Sequence, residues 1–492
     1  MTFTLLLYTI VGAALGLFMG ALPGITVTMT AVLVVSLTYG WPMMEALAFI
    51  VGAFCGGVTG GCISAIALNI PGTSAAVATA FDGYPLMRRG EADNALGTGL
   101  FSSLIGGLIG LAIMLLAGPA LGKFALKFGS QEYFLLTMWG LTLVAVLSKG
   151  NNVKGLAAAF FGLFVGMIGM DPVMGMLRFT FGTSLLKGGI NFVAAMIGLF
   201  GMKEVLKQLG KTESFNITGT VYRIKGLLPK LSLIKKVWHT FIWGGPLGTL
   251  IGLLPGTGGD VACIVAYGVA KQVTRKPSRP FGEGAYEGVA APEVANNAAI
   301  GGALTTMMTL GVPGDSVTAV ILGSFYLHGL LPGPTFMLAE KHYFYMIVWF
   351  VLIGSIMAYI FGLLGSNLIL KAINLPKWAL VPFIAVLCVV GSYAIQNNIY
   401  DVAIMLVFGV IGYLFEKGGF PTGPIVLAII LGPMIERNLR QALVITGGFF
   451  PFLSSLVTRP ISLVLLILVV LSFWLQSKVM RTGTADNKTK AA

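Results

Sequence analysis

Leu22-Pro23-Gly24 with Thr26, and Asn69-Ile70-Pro71-Gly72-Thr73, interrupt long apolar runs, and both interruptions recur later in the chain. The first returns as Leu254-Pro255-Gly256 with Thr257, the second as Gly311-Val312-Pro313-Gly314-Asp315. The offset is 232 residues for the first pair and 242 for the second, so order is kept with an insertion of ten residues in the later copy. Two kinds of break, each used twice in matched order, predict a duplicated membrane protein whose halves carry interrupted helices.

Composition sets the solvent. Of 492 residues, 56% are hydrophobic and only 10% charged, against roughly 25% charged in a soluble globule. Several uncharged stretches, such as 95–122, reach the length of about 20 residues that spans a hydrocarbon core. Without period-2 alternation, the backbone must satisfy its own polar groups as helices. The expected fold is therefore all-α and polytopic, with about 12 membrane segments in two related, inverted halves. The expected organisation is a first half at 1–205, a basic connector at 206–237, a second half at 238–455, a transmembrane helix at 456–477 and a tail at 478–492.

A net charge of +13 raises the possibility of nucleic-acid binding, but the basic residues sit between apolar runs. Lys203, Lys207, Lys211, Arg223 and Lys225 crowd one loop, and Lys271, Arg275, Lys276 and Arg279 mark another. Such clusters read as cytoplasmic loops held by anionic headgroups of the lipid bilayer, and no nucleic-acid partner is expected. Cys55, Cys62, Cys263 and Cys388 lie in apolar surroundings and read as packing residues. Most of the 67 glycines, many at small-x-x-x-small spacing as in Gly162, Gly166 and Gly169, read as helix contacts.

Proline lacks an N–H and blocks the preceding turn, so each Pro-Gly break frees carbonyls before it and N–H groups after it. Helix N-termini attract carboxylates, while freed carbonyls and hydroxyls suit sodium. The candidate substrate-binding residues are Gly24, Thr26, Asn69, Gly72, Thr73, Ser74, Gly256, Thr257, Gly314, Ser316 and Thr318. Asp260 and Asp315, costly in a membrane segment, are candidate sodium ligands or proton carriers, with helix capping as the alternative. Asn296 and Asn297 could add neutral oxygen ligands or hold helices together; Glu293, beside Pro292, is expected to face water in the neighbouring loop. No HExxH, Gly-x-Ser-x-Gly or Walker-type motif occurs, so no catalytic residues are expected and uphill transport would need an ion gradient or another chain.

At these residues the chain resembles the large membrane subunit of the tripartite tricarboxylate transporters, the TctA family. The likeness runs through Gly20 to Gly24, Gly60 to Leu100 with Asp82-Gly83-Tyr84-Pro85, Gly252 to Asp260, and Glu287 to Pro334 with Ala291-Pro292-Glu293-Val294-Ala295-Asn296-Asn297-Ala298. It implies a sodium-coupled secondary transporter of the bacterial inner membrane, taking a carboxylate substrate from a periplasmic substrate-binding protein. A small membrane subunit and an elevator-like motion are implied as well. Asp315 departs from the family pattern of a hydroxyl or small residue after the last Pro-Gly. A passive carboxylate channel without ion coupling is the alternative.

Overall fold

The computed structural model describes residues 2–147, 152–171, 174–209, 229–372 and 377–489. Most of the basic connector, 210–228, and the last three residues of the tail lie outside the described residues. Among the described residues the regular structure is helical apart from one short hairpin pairing Gly169–Met170 with Leu177–Arg178.

The first set of helices is α1 (Phe3–Ala21), α2 (Val27–Leu37), α3 (Met43–Leu68), α4 (Val77–Arg88) and α5 (Ala92–Ala125). Then come α6 (Ser130–Leu147), α7 (Asn152–Gly166), α8 (Phe192–Met196), a π-helical stretch Ile197–Met202, and α9 (Lys203–Leu209). A second set repeats the opening: α10 (Leu231–Leu253), α11 (Gly258–Val273), α12 (Tyr286–Leu310) and α13 (Ser316–Leu327). The chain closes with α14 (Pro334–Ala339), α15 (Lys341–Ala372), α16 (Lys377–Ala394), α17 (Ile399–Lys417), α18 (Gly423–Thr446), α19 (Phe449–Thr458) and α20 (Pro460–Thr489).

Among the described residues, five helices are long and apolar enough to cross a membrane, or six if the bent pair α18–α19 is one span. These helices do not establish the expected twelve. The breaks account for part of the difference: α2, α11 and α13 contain 11, 16 and 12 residues, short of the roughly 20 that a crossing needs.

The α1–α3 pair and the α10–α12 pair meet in the same register. A Cβ on Gly16 would lie 2.1 Å from the Ala53 carbonyl oxygen, and one on Gly248 would lie 2.2 Å from that of Ala295. Likewise Gly20 abuts Gly57 and Gly252 abuts Ala299; Gly60 abuts Leu17 and Gly302 abuts Thr249. Every partner obeys the offsets of 232 and 242 read in the sequence. Glycine lets these backbones touch, which is how helices gain dispersion energy where lipid removes any hydrophobic drive. All four cysteines are buried, free thiols, as the packing role requires.

Candidate functional site

Each break adopts the geometry its residues dictate. Leu22 and Leu254 end α1 and α10 in matching extended conformations (φ −79°, ψ 120° and φ −77°, ψ 125°). Gly24 and Gly256 then take positive φ (93° and 79°), where a side chain would be strained. At the second kind of break, Asn69 and Gly311 close α3 and α12 in the left-handed region (φ 56° and 69°), the ordinary helix-ending conformation for Gly and Asn. Gly72 and Gly314 follow, tight against the carbonyl oxygens of Gly20 and Gly252. Each second break is thereby docked onto the first break of its own half.

All four breaks reach one cavity of about 70 Å³. The first half lines it with Thr26, Val27, Thr28, Phe54, Val58, Ser74 and Ala75. Adding 232 to the first three gives Gly258, Gly259 and Asp260; adding 242 to the other four gives Asn296, Ile300, Ser316 and Val317. All seven counterparts line the same cavity, together with Gly256, Thr257 and Asp315. Matched residues of both halves line one space, so the cavity lies where the two halves meet.

Of the residues singled out in the sequence, Thr26, Ser74, Gly256, Thr257, Asp260, Asn296, Asp315 and Ser316 are brought together here. Gly24, Asn69, Gly72, Thr73, Asn297, Gly314 and Thr318 are not among the lining residues. They shape the breaks instead, as helix ends, close contacts or caps. Asn297 sits behind the wall, accepting from Thr59 (3.0 Å) and donating to the Glu293 carbonyl and Asn296 Oδ1. Thr73 is buried against Gly61, and its hydroxyl has no hydrogen-bond partner.

The sequence reading missed Val27, Phe54, Val58, Ala75, Ile300 and Val317, the apolar part of the wall. A usable signal existed: subtracting 242 from Asn296 and Ile300 lands on Phe54 and Val58. The repeat runs along the helices between the breaks as well as through the breaks themselves.

The polar chemistry is unevenly shared. Ser74 donates to Asp260 Oδ2 at 2.6 Å, bridging the halves, and Asn296 Nδ2 donates to the Ala75 carbonyl at 2.8 Å. Asp315 caps α13: its Oδ1 accepts from the Thr318 N–H and hydroxyl (both 2.7 Å), while Thr318 Oγ1 accepts from the Asp315 N–H (2.9 Å). Capping is thus part of what Asp315 does, yet it also lines the cavity beside Gly258, whose positive φ brings its backbone against the carboxylate. Thr26 caps α2 by accepting from the Met29 N–H (3.1 Å).

The carbonyls freed at Pro255 are largely answered by protein. Thr257 donates to the carbonyls of Ile251 and Leu254, and Thr306 to that of Leu253. Oxygen donors toward a bound cation are therefore better sought in side chains. Asp260, Asp315, Ser74, Ser316, Thr26 and Asn296 form an all-oxygen set that suits a hard cation such as sodium.

Two buried acids lie outside the cavity, and one of them sits elsewhere than the sequence suggested. Glu293 is not in a wet loop; it is fully buried inside α12, because Pro292 lies within that helix without ending it. Asp82, also fully buried, accepts from the N–H groups of Gly282, Gly284 and Ala285 (2.8–2.9 Å) and from the Tyr267 hydroxyl (2.9 Å). It pins the Pro/Gly-rich detour before α12 onto α4.

Comparison with known proteins shows the family of the chain. The sequence model of the tripartite tricarboxylate transporter TctA family matches residues 6–427. An uncharacterised 52.8 kDa protein in the TAR-I ttuC' 3' region of Agrobacterium vitis is 36% identical over 443 residues, covering 90% of this chain and 88% of that protein. An uncharacterised protein in the TAR-II ttuC' 3' region of the same organism is 37% identical over 219 residues, 44% of this chain and 89% of its own length. No solved structure matches the chain. A family match spanning most of the sequence, with the repeated breaks at its heart, places the chain in the tripartite tricarboxylate transporter TctA family.

Proposed function

We propose that this protein is the large membrane subunit of a bacterial inner-membrane transporter that imports a carboxylate by using a cation gradient, with sodium as the coupling ion. The observation that carries the reading is the cavity built from seven matched residue pairs, onto which the second half adds two carboxylates. Asp260, Asp315 and Asn296 would hold the cation. The N-terminus of α2 at Thr26 would offer its N–H groups to the substrate carboxylate, with Ser74 on the same cavity wall. Bound sodium would neutralise the two aspartates that otherwise repel an anion.

The halves are proposed to be inverted in the membrane, since a two-fold axis in the membrane plane opens one site to either side by rocking or sliding of the core. An elevator-like motion of the four-break core against the later helices fits that symmetry. Family membership further suggests a periplasmic binding protein that delivers the substrate and a small membrane subunit that completes the complex. Uptake in proteoliposomes containing both partner subunits tests the reading, scanning di- and tricarboxylates with and without an imposed sodium gradient. Accumulation that follows the gradient is expected. Flux indifferent to the gradient would mark a passive facilitator, and no flux of any carboxylate would refute transport.

A further inference from the structure

The long helices α5 and α15 run antiparallel: Leu100 meets Gly362, Gly107 meets Ser355, and Gly118 meets the Phe344 ring. The last turn of α5 therefore stands beside the first turn of α15. Gly122 of α5 also faces Met337 of α14.

At this junction lies a second cavity of about 220 Å³, larger than the one at the breaks. Lys123, in the last turn of α5, and Lys341, the first residue of α15, both line it, and Met337, Leu338, Phe344 and Tyr345 make much of the remaining wall. The grading continues along the two helices. Tyr345 and Trp349 follow Lys341 at steps of four, and Leu116 precedes Lys123 by seven, spacings that keep one helix face. Tyr345, Trp349 and Leu116 are all exposed. Cation first, aromatic ring next and apolar side chain beyond is the order of a bilayer leaflet from headgroup to acyl chain.

The two lysines lack local counter-charges. Among the described residues neither ammonium group has an ion pair. Glu340, adjoining Lys341 in sequence, lies 3.3 Å from His342 Nδ1, and the first turn of α15 carries no acid. Lys127, four residues beyond Lys123, adds positive charge. Topology does not account for them either. α5 starts at Glu91, which pairs with Arg279 of the basic loop read as cytoplasmic, and its 34 residues are enough to end on the opposite side. The positive-inside tendency gathers Lys and Arg on the near side, so a lysine pair at the far end calls for an anion of its own. A small hydrophilic anion would answer the charges and leave the apolar wall uncovered, whereas a phospholipid answers both.

We propose that this cavity binds one anionic phospholipid, with its phosphate between Lys123 and Lys341 and its acyl chains running past Tyr345, Trp349 and Leu116 into the membrane. Lysine serves phosphate as a compact point charge. The lipid ties together two helices that brace different halves: α5 packs on α12 through Gly106 and Gly110, and α15 packs on α3 through Gly354. The site depends on membrane placement alone and not on the transporter reading.

The test uses the full-length protein, delipidated in detergent and titrated with phosphatidylglycerol while native mass spectrometry counts bound lipid. Phosphatidylcholine with the same acyl chains is the neutral comparison, and inorganic phosphate the acyl-free one. Wild type should bind one phosphatidylglycerol per chain, about fivefold or more tighter than phosphatidylcholine. The double variant Lys123→Gln/Lys341→Gln should weaken it on the order of twentyfold, since each lysine near anionic lipid is worth about fivefold. Both lysines are exposed, so without lipid this variant should melt as wild type does, and phosphatidylglycerol should raise the melting temperature of wild type only. Gly122→Phe keeps both charges and fills the cavity, its Cβ meeting Met337 at an ordinary 3.5 Å; it should lose the preference for phosphatidylglycerol too. Equal binding of the two lipids by wild type, or wild-type affinity in the double variant, would overturn the proposal. Unchanged binding in Gly122→Phe would mark a general surface attraction, and inorganic phosphate raising the melting temperature as much as the lipid would mark a free-anion site; each overturns it as well. If Gly122→Phe does not fold, the lipid comparison in wild type and the double variant decides.

Discussion

The two halves share a scaffold and differ in chemistry. Gly16 meets Ala53 as Gly248 meets Ala295, and Gly72 docks on Gly20 as Gly314 docks on Gly252. At three matched positions the first half is neutral where the second is polar or acidic: Thr28 against Asp260, Thr73 against Asp315, Phe54 against Asn296. The matched scaffold puts both halves on one site, and these substitutions make its two sides differ. A symmetric site would treat its two sides alike. Here the second-half side gathers negative charge and the first-half side gathers hydroxyls and apolar surface, giving a cation and an organic anion different neighbours.

The shared scaffold should fail equally in both copies. Gly16→Leu and Gly248→Leu each force a side chain into a backbone 2.1–2.2 Å from the new Cβ, and overpacking of this kind costs roughly 3 kcal/mol or more. Expression and thermal melting in detergent should show both variants unfolded or strongly destabilised. If one copy tolerates leucine, the halves are not equivalent supports.

The chemistry should fail unequally. Asp260→Asn is expected to lower cation-dependent uptake by roughly 10- to 100-fold, the scale of about 1.5–3 kcal/mol lost with one charged contact. The matched Thr28→Val should stay within about fivefold of wild type by the same measure, because a neutral hydroxyl is worth about 1 kcal/mol or less. Asp315 separates two roles: Asp315→Asn retains a good helix cap and should melt within about 0.5 kcal/mol of wild type while losing cation dependence, whereas Asp315→Ala should cost about 1 kcal/mol in addition.

The smallest effect lies outside the membrane segments. Glu91 accepts from Arg279 (2.6 Å) and from the Tyr286 hydroxyl (2.6 Å). Partial burial pushes its carboxyl up, but those hydrogen bonds and the charges of Arg279 and Arg89 outweigh burial and hold it below its usual range. A depressed carboxyl stabilises the fold at neutral pH and loses that contribution as pH falls through its folded-state value. The pair is partly exposed, so Arg279→Ala should cost only about 0.5 kcal/mol, with a shallower acid-side fall in melting temperature.

The breaks were legible because Pro-Gly has a local cost that sequence cannot hide, and their matched order carried the duplication. From there Thr26, Ser74, Asp260 and Asp315 followed. Phe54 and Val58 did not, since apolar residues in an apolar helix look alike until the repeat is laid along its whole length. Glu293 was misplaced for a different reason: an adjoining proline and a charged loop read as an exposed turn, while Pro292 is accommodated inside α12. The expected twelve segments are not established by these helices, in part because a run cut by Pro-Gly yields short helices that need not each cross.

Equilibrium binding of radioactive sodium to the purified protein tests most directly whether the second-half acids make the cation site. The account predicts saturable binding in wild type, retained in Thr28→Val and lost in Asp260→Asn. Binding by Asp260→Asn equal to wild type would contradict it.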